Sequence, residues 1–129
     1  MEELLRPALL DWLRGDPALA GLSAIEEEVP SRASPPWLAV VASASADWST
    51  KDRTGREVRV AIELHSRADD PRADAPLVSA LDRRIEALPK AQGSFAIASI
   101  AFLRARTERR ANNARATLLE YRFRCMAGG

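Results

Sequence analysis

The clearest alternation of hydrophobic and polar positions in this chain runs from Glu57 to His65. Every second residue of that segment is apolar: Val58, Val60, Ile62 and Leu64. Because side chains alternate across a strand with period two, the pattern predicts a strand with one buried face and one face open to water or a partner. The apolar segment Trp37–Ser45 predicts a buried strand. The polar loop Trp48–Gly55 predicts that the two strands form an antiparallel hairpin.

Two segments carry apolar residues at helical spacing, Glu2–Arg14 and Arg72–Leu88. Their apolar positions are Leu5, Leu9, Trp12 and Leu13 in the first, and Leu77, Leu81, Ile85 and Leu88 in the second. This spacing predicts two amphipathic helices. Pro7 is unfavourable inside a helix, which leaves open a start of the first helix near that residue.

Three further segments complete the predicted elements. Ile25–Pro30 predicts a short acidic edge strand, and Ser94–Arg106 and Ala114–Met126 predict two longer strands. The turn Thr107–Asn113 joins the longer pair, and its asparagines suit left-handed backbone angles. The order α-β-β-β-α-β-β predicts an α+β domain spanning residues 1–129, with two main helices on one face of an antiparallel sheet.

Composition sets limits on the partners and the compartment. The chain has 129 residues and a formal net charge of +1, so it has no strong global field for DNA or an anionic membrane. Cys125 is the single cysteine, which rules out an internal disulfide and predicts a small buried hydrophobe. No secretion signal or long apolar run is visible, and we expect a soluble protein made in a cytoplasm.

The sequence shows no pattern typical of an enzyme. His65 is the only histidine, and no cluster of cysteines, histidines and acids surrounds it, so we expect it to be structural or interfacial. No serine sits in a G-x-S-x-G turn, and no glycine-rich phosphate loop occurs. We therefore expect no catalytic residue, no metal and no cofactor.

Two charged segments are candidate contact surfaces. Glu26, Glu27 and Glu28 point to alternating sides of an extended chain, so they do not converge on one ion and instead form an acidic edge. The basic turn surrounds Glu108 with arginines: Arg104, Arg106, Arg109, Arg110 and Arg115. That turn is a phosphate-binding surface, a solvated hairpin tip, or the partner of an acidic edge on a neighbouring copy.

The loop after the second predicted strand is a third candidate surface. Trp48 lies at its start, either as an interface anchor or buried against the helices. Lys51 and Arg53 lie in the same loop and are assigned to the same candidate surface. Loops of this kind often become ordered only when a partner docks.

Several local patterns give the chain a family resemblance. They are the turn Asp16–Ala20, the corner Trp48–Lys51, the strand end Leu64–Arg67 and the run Arg122–Arg124. With these patterns the chain resembles the tail-terminator (tail-completion) family of long-tailed phages and gene transfer agents. The resemblance covers nearly the whole chain and is most specific over Trp48–Arg67. The chain departs from the family at His65, where an aromatic residue is frequent, and in its more basic turn before the last strand.

The resemblance implies a structural virion protein located in the tail and neck. Members of the family form a homohexameric ring at the head-proximal end of the tail tube, stop tail polymerisation and dock the head-side stopper or connector protein. DNA passes through the lumen without sequence-specific binding. A head-to-tail ring needs two different complementary patches on one subunit. We expect the acidic edge and the basic turn to supply them, so that charge reversal at Arg109 and Arg110 weakens ring assembly.

Two alternatives to the terminator remain open from the sequence. The first is another neck component, such as a stopper or a head-tail connector. The second is a small nucleic-acid-binding α+β module that uses the basic hairpin, which salt-dependent binding to duplex DNA would reveal.

Overall fold

A mixed β-sheet with helices on one face forms the body of the protein. The computed structural model describes residues 1–67 and 71–128. The helices are α1 (Glu2–Arg14) and α2 (Ala75–Glu86), and short 3-10 turns cover Pro17–Leu19 and Pro71–Asp74. The strands are β1 (Ile25–Glu26), β2 (Trp37–Asp47), β3 (Gly55–Arg67), β4 (Phe95–Arg109) and β5 (Ala114–Ala127). The predicted α+β class and element order are confirmed.

The strands lie in the order β1-β2-β3-β5-β4. The neighbours β2 and β3, β3 and β5, and β5 and β4 are antiparallel. Strand β1 runs parallel to β2, with Ile25 opposite Leu38. The sheet is therefore mostly antiparallel, as predicted, and β1 is the one described strand that departs from this arrangement. The reason is that residues 27–36 carry the chain back to the end where β1 began.

The hydrophobic core lies between the helices and one face of the sheet. Helix α1 buries Leu5, Leu9, Leu10 and Leu13, and α2 buries Ala80, Leu81 and Ile85. From the two central strands, Val58, Val60, Ile62, Leu64, Tyr121 and Phe123 complete the core. Each such large apolar side chain contributes roughly 1.5–3 kcal/mol when it leaves water. This burial stabilises α1 with Pro7 inside it, so the helix begins at Glu2 rather than near the proline.

The two helices are joined by a reciprocal contact between Trp12 and Arg84. The indole Nε1 of Trp12 donates to the backbone oxygen of Arg84 at 2.7 Å, and Arg84 Nε donates to the backbone oxygen of Trp12 at 2.8 Å. The guanidinium carbon of Arg84 lies 3.4 Å from the centre of the indole ring. This pair fixes the ends of both helices against each other. Neither described helix is long and apolar enough to cross a membrane.

Several local predictions can be compared with the structure. Strand β2 is buried only from Trp37 to Val40, because its second half lies at the sheet edge and is largely exposed. The prediction of a buried strand is therefore wrong for that half.

The predictions for the turn and the cysteine are confirmed. Asn112 and Asn113 have φ angles of 60° and 59°, which are left-handed backbone angles. Cys125 is buried as predicted, and desolvation raises the pKa of its thiol to about 11.

Candidate assembly interface

The sheet face opposite the helices is rich in charged side chains. We call it the bare face, and define it by Glu57, Arg59, Glu63 and His65 of β3 and Glu120, Arg122 and Arg124 of β5. Strand alternation places these residues on the opposite side from the core positions of the same strands. On β2, the bare face continues as small residues opposite β3: Ala39, Ala42, Ala44 and Ala46. The bare face therefore combines charged side chains on β3 and β5 with alanines on β2.

Two arginines on the bare face share one carboxylate, and a third lies beside them. Glu57 Oε1 lies 3.4 Å from Arg122 Nε and 3.9 Å from Arg124 Nε. Both Nε atoms are shielded from solvent and neither forms a hydrogen bond, so these contacts are attractive but poorly aligned. Arg59 lies directly opposite Arg122 in the antiparallel register. Among the described residues, Arg59 has no ion-pair partner.

The loop from residue 48 to residue 54 is a hydrogen-bonded corner. Ser49 Oγ accepts from the backbone nitrogen of Gly55 at 3.0 Å, and Thr50 Oγ1 accepts from the backbone nitrogen of Arg53 at 3.1 Å. The guanidinium of Arg53 donates to the carbonyls of Ala127 and Gly128 at 2.8 and 3.0 Å. The corner is therefore fixed to the end of β5 within one chain.

Trp48 and Lys51 occupy different environments in this corner. Trp48 is half-buried, and the guanidinium carbon of Arg124 lies 5.6 Å from its ring centre. Its indole thus lies beside the bare face rather than in the helical core. Lys51 is exposed at the turn. Of the predicted loop residues, Lys51 is left for a partner, while Arg53 is already engaged with the chain end.

The predicted basic turn is a long arm formed by the ends of β4 and β5, and most of its arginines have partners in the chain. Arg104 Nε lies 3.3 Å from Glu120, and Arg106 Nη2 lies 3.0 Å from Glu108. Arg110 lies 3.3 Å from Glu63 and 3.5 Å from Glu108. Arg109 is exposed and has no ion pair with a described residue. Such exposed pairs are weak, but they reduce the positive charge of the arm.

The predicted acidic edge also has partners within the chain. Glu26 lies 3.6 Å from Arg14 Nη2, and Glu27 lies 3.3 Å from Arg6 Nε. Glu28 is exposed and has no ion-pair partner among the described residues. The three carboxylates and the loop after them border one open depression, and Glu27 and Glu28 also border a second one beside β2. No group of three or more metal-ligating side chains occurs in the described ranges 1–67 and 71–128.

The two charged segments lie at opposite edges of the sheet. The acidic segment, Glu26 to Glu28, begins at the last residue of β1 and borders β2, whereas the arm includes the outer strand β4. The arm and the acidic segment therefore do not meet within one subunit. This separation is the geometry that a head-to-tail contact between copies requires.

His65 belongs to a packed cluster at the end of β3. Its ring stacks on Trp37, with 3.8 Å between ring centres and an angle of 11° between planes. Its Nε2 contacts a carboxylate oxygen of Glu63, to which Arg110 is also paired. These contacts match the predicted structural or interfacial role of the histidine.

Sequence reasoning missed the arginines of the bare face as a group. Alternation alone places Arg59 on the outer face of β3, and Arg122 and Arg124 on the outer face of β5. Their proximity depends on the pairing of β3 with β5, which are separated by α2 and β4 along the chain. No local sequence signal identifies that pairing.

Comparison with known proteins adds a family to this geometry. A family model described as tail completion protein gp17 matches residues 7–126. A chain of the virion of a native gene transfer agent particle has a similar structure, with a TM-score of 0.81 and 20% identity over 95% of each chain. A second solved structure has a TM-score of 0.52 and 13% identity over 100% of this chain and 96% of its own. At these identities both likenesses show the fold alone. None of the curated proteins matches the sequence.

Proposed function

Since the chain belongs to the tail completion protein gp17 family, we propose that it forms the ring that terminates a phage-type tail. Family membership makes the protein a structural component of a virion tail or neck, and the resemblance drawn from the sequence is confirmed at the level of the family. The match over residues 7–126 is the observation that carries the proposal. The likeness to a gene transfer agent virion chain extends it to particles of that kind.

In this proposal, six copies close into a ring at the head-proximal end of the tail tube. One side of the ring stops polymerisation of the tube protein, and the other side docks the head-side stopper or connector protein. DNA passes through the lumen without sequence-specific contacts. The protein acts through these contacts and not through catalysis.

The placement of charge supports a ring built from unlike patches. A head-to-tail contact needs two different complementary surfaces on each subunit. Such contacts form a closed ring when the rotations between successive copies add up to a full turn. The acidic segment and the arginine arm lie at opposite edges of one sheet. Charge complementarity of this kind sets register and partner choice more than it sets affinity.

A nucleic-acid-binding module is less consistent with these contacts. Binding to phosphates requires several free cationic side chains, because affinity arises mainly from the release of counterions. In the arm, Arg104, Arg106 and Arg110 each lie within 3.5 Å of a carboxylate. The formal net charge of +1 supplies little additional attraction.

Deletion of the gene, followed by negative-stain electron microscopy of the particles, tests the proposal. We expect filled heads without tails beside free tails of irregular and excessive length. Tails of normal length that fail to join heads would move the protein to the connector side of the neck. Normal infectious particles would overturn the assignment. A plasmid copy of the wild-type gene is the matched control, and it should restore joined tails of uniform length.

A further inference from the structure

Arg59, Arg122 and Arg124 form a cluster on the bare face that the fold itself leaves incompletely neutralised. We call it the arginine row. Arg59 and Arg122 are directly opposite in the antiparallel register, an arrangement that is unfavourable for like charges. Glu57 is the carboxylate within ion-pair distance of the row, and it is shared by Arg122 and Arg124. Two arginines of the row therefore share one carboxylate, and the third, Arg59, has no ion pair with a described residue.

The hydrogen-bonding capacity of the row is also underused. A guanidinium has five donors in a planar fork that matches a carboxylate in a bidentate way. Here Arg122 and Arg124 present Nε to Glu57 without forming a hydrogen bond. By contrast, Arg104 and Arg110 in the arm both donate to glutamates of the same chain. The arginine row therefore has more hydrogen-bond donors left for a carboxylate or another oxyanion than the arm has.

A depression beside Arg59 indicates the shape of the group that would bind there. It has a volume of about 170 Å³, and besides Arg59 and Glu120 it is lined by small residues of β2 and β3: Ala42, Ser43, Ala44 and Ala61. Small apolar walls suit the methylene stem of a glutamate whose carboxylate reaches Arg59. Glu120 on the rim and Glu63 on the same face repel a polyanion such as a nucleic acid backbone.

We propose that the arginine row binds Glu28 of a neighbouring copy of this chain in the ring. This inference rests on the proposed ring and specifies one of its contacts. Glu26 and Glu27 are held by arginines of α1, which leaves Glu28 as the carboxylate of the acidic segment without an ion pair to a described residue. Because the arm arginines are mostly paired, the row replaces the arm as the better partner for the acidic segment.

A cross-linking experiment on assembled particles tests this contact without altering any charge. Two single variants, Val29→Cys and Ala44→Cys, are expressed together, and purified particles are treated with a short bismaleimide. Val29 is 58% exposed and adjoins Glu28, and Ala44 lies directly opposite Arg59. The native Cys125 is buried and stays unreactive. We expect a covalent dimer from the mixture and none from either variant alone.

Two outcomes would contradict this inference, and they distinguish failure of the contact from failure of the proposed ring. Particles that contain both variants but give no dimer would overturn the contact and leave the ring intact. Particles that lack the protein altogether would overturn the proposed function as well. The control pair is Val29→Cys with Ala18→Cys, an exposed position in the 3-10 turn on the helical side, and it should give no dimer.

A charge swap then tests the chemistry of the contact. Adding Arg59→Glu to both cysteine variants should lower the yield of dimer about tenfold, because two carboxylates then face each other. Adding Glu28→Lys to that background should restore most of the yield. Arg109→Glu, at an exposed arginine of the arm, should change the yield less than about twofold. An unchanged yield with Arg59→Glu would overturn the proposal.

Discussion

The two faces of the sheet carry opposite kinds of side chain on the same two strands. Towards the helices, β3 and β5 present Val58, Ile62 and Phe123, each 0% exposed. Away from the helices, the same two strands present Glu57, Arg59 and Arg122. These residues alternate along the strands with the core residues. The first face supplies much of the free energy of folding, and the second is the face that we propose for contacts with other copies of the chain. Substitutions on the two faces should therefore have effects on different quantities.

The largest loss of stability is expected from a substitution on the sheet face that packs against the helices. Phe123→Ala removes a side chain that is 0% exposed, and should lower the free energy of unfolding by about 3–5 kcal/mol. Urea denaturation followed by circular dichroism measures the change. Phe102→Ala is the matched control, because Phe102 is 47% exposed at the edge strand, and it should cost much less. Equal losses would contradict the assignment of the core to this face.

A second effect is expected at the corner that joins β2 and β3. A Cβ on Gly55 would lie 2.5 Å from the carbonyl oxygen of Trp48 and 2.8 Å from the sulfur of Met126. Gly55→Ala must therefore displace the corner, and should cost about 1–3 kcal/mol of stability. Gly21→Ala is the control, since nothing lies within 4 Å of its added carbon. A thermal melt that gives the same midpoint for both variants would show that the corner yields without strain.

A third effect links stability to pH through Tyr121. Its hydroxyl donates to Asp82, and desolvation together with that carboxylate raises the pKa of the phenol well above its ordinary value of 10.0. A raised pKa in the folded state means that the neutral phenol stabilises the fold below pH 10, and that this stabilisation is lost as the pH rises further. Tyr121→Phe should cost about 1–2 kcal/mol at neutral pH.

The sign of this pH dependence gives a sharper test than the size of the loss. The wild type should lose stability faster than Tyr121→Phe above pH 10, so that the difference between them shrinks. Urea denaturation of both proteins on either side of that pH measures it. A difference that stays constant would show that the phenol does not titrate differently in the folded and unfolded chains.

The smallest effect on folding, and the one of opposite sign, is expected on the bare face. Arg59→Glu replaces one member of a like-charged cross-strand pair, and should raise the stability of the free protein by about 0.2–1 kcal/mol. In the particle, the same change should weaken the contact between copies. Stability and assembly should thus move in opposite directions. A variant that is destabilised as a free chain would show that Arg59 serves the fold.

Regular patterns predicted most of the fold. The strict alternation around Val60 and Ile62, and the helical spacing around Leu9 and Leu81, fixed both helices and four strands with small errors at the ends. These patterns are predictive because burial of one face dominates the energetics of each element. The direction of β1 was not predictable, since it depends on the path of residues 27–36 and not on its two residues.

The candidate surface was less predictable than the fold. The acidic and basic segments are visible as runs of charge, but the sequence does not show that Glu27 pairs with Arg6 or that Arg110 pairs with Glu63. These partners are separated by 21 and 47 positions. Arg59 and Glu28, which have no ion pair with a described residue, become recognisable only after the paired charges have been identified in three dimensions.

A cryo-electron microscopy reconstruction of the neck of purified particles would show directly whether this chain forms the proposed ring. We predict a closed ring of this chain between head and tail tube, with the bare face of each subunit in contact with its neighbour. We also predict density joining Glu28 of one copy to Arg59 of the next. A ring whose copies meet through α1 and α2, or a neck without this chain, would contradict this prediction.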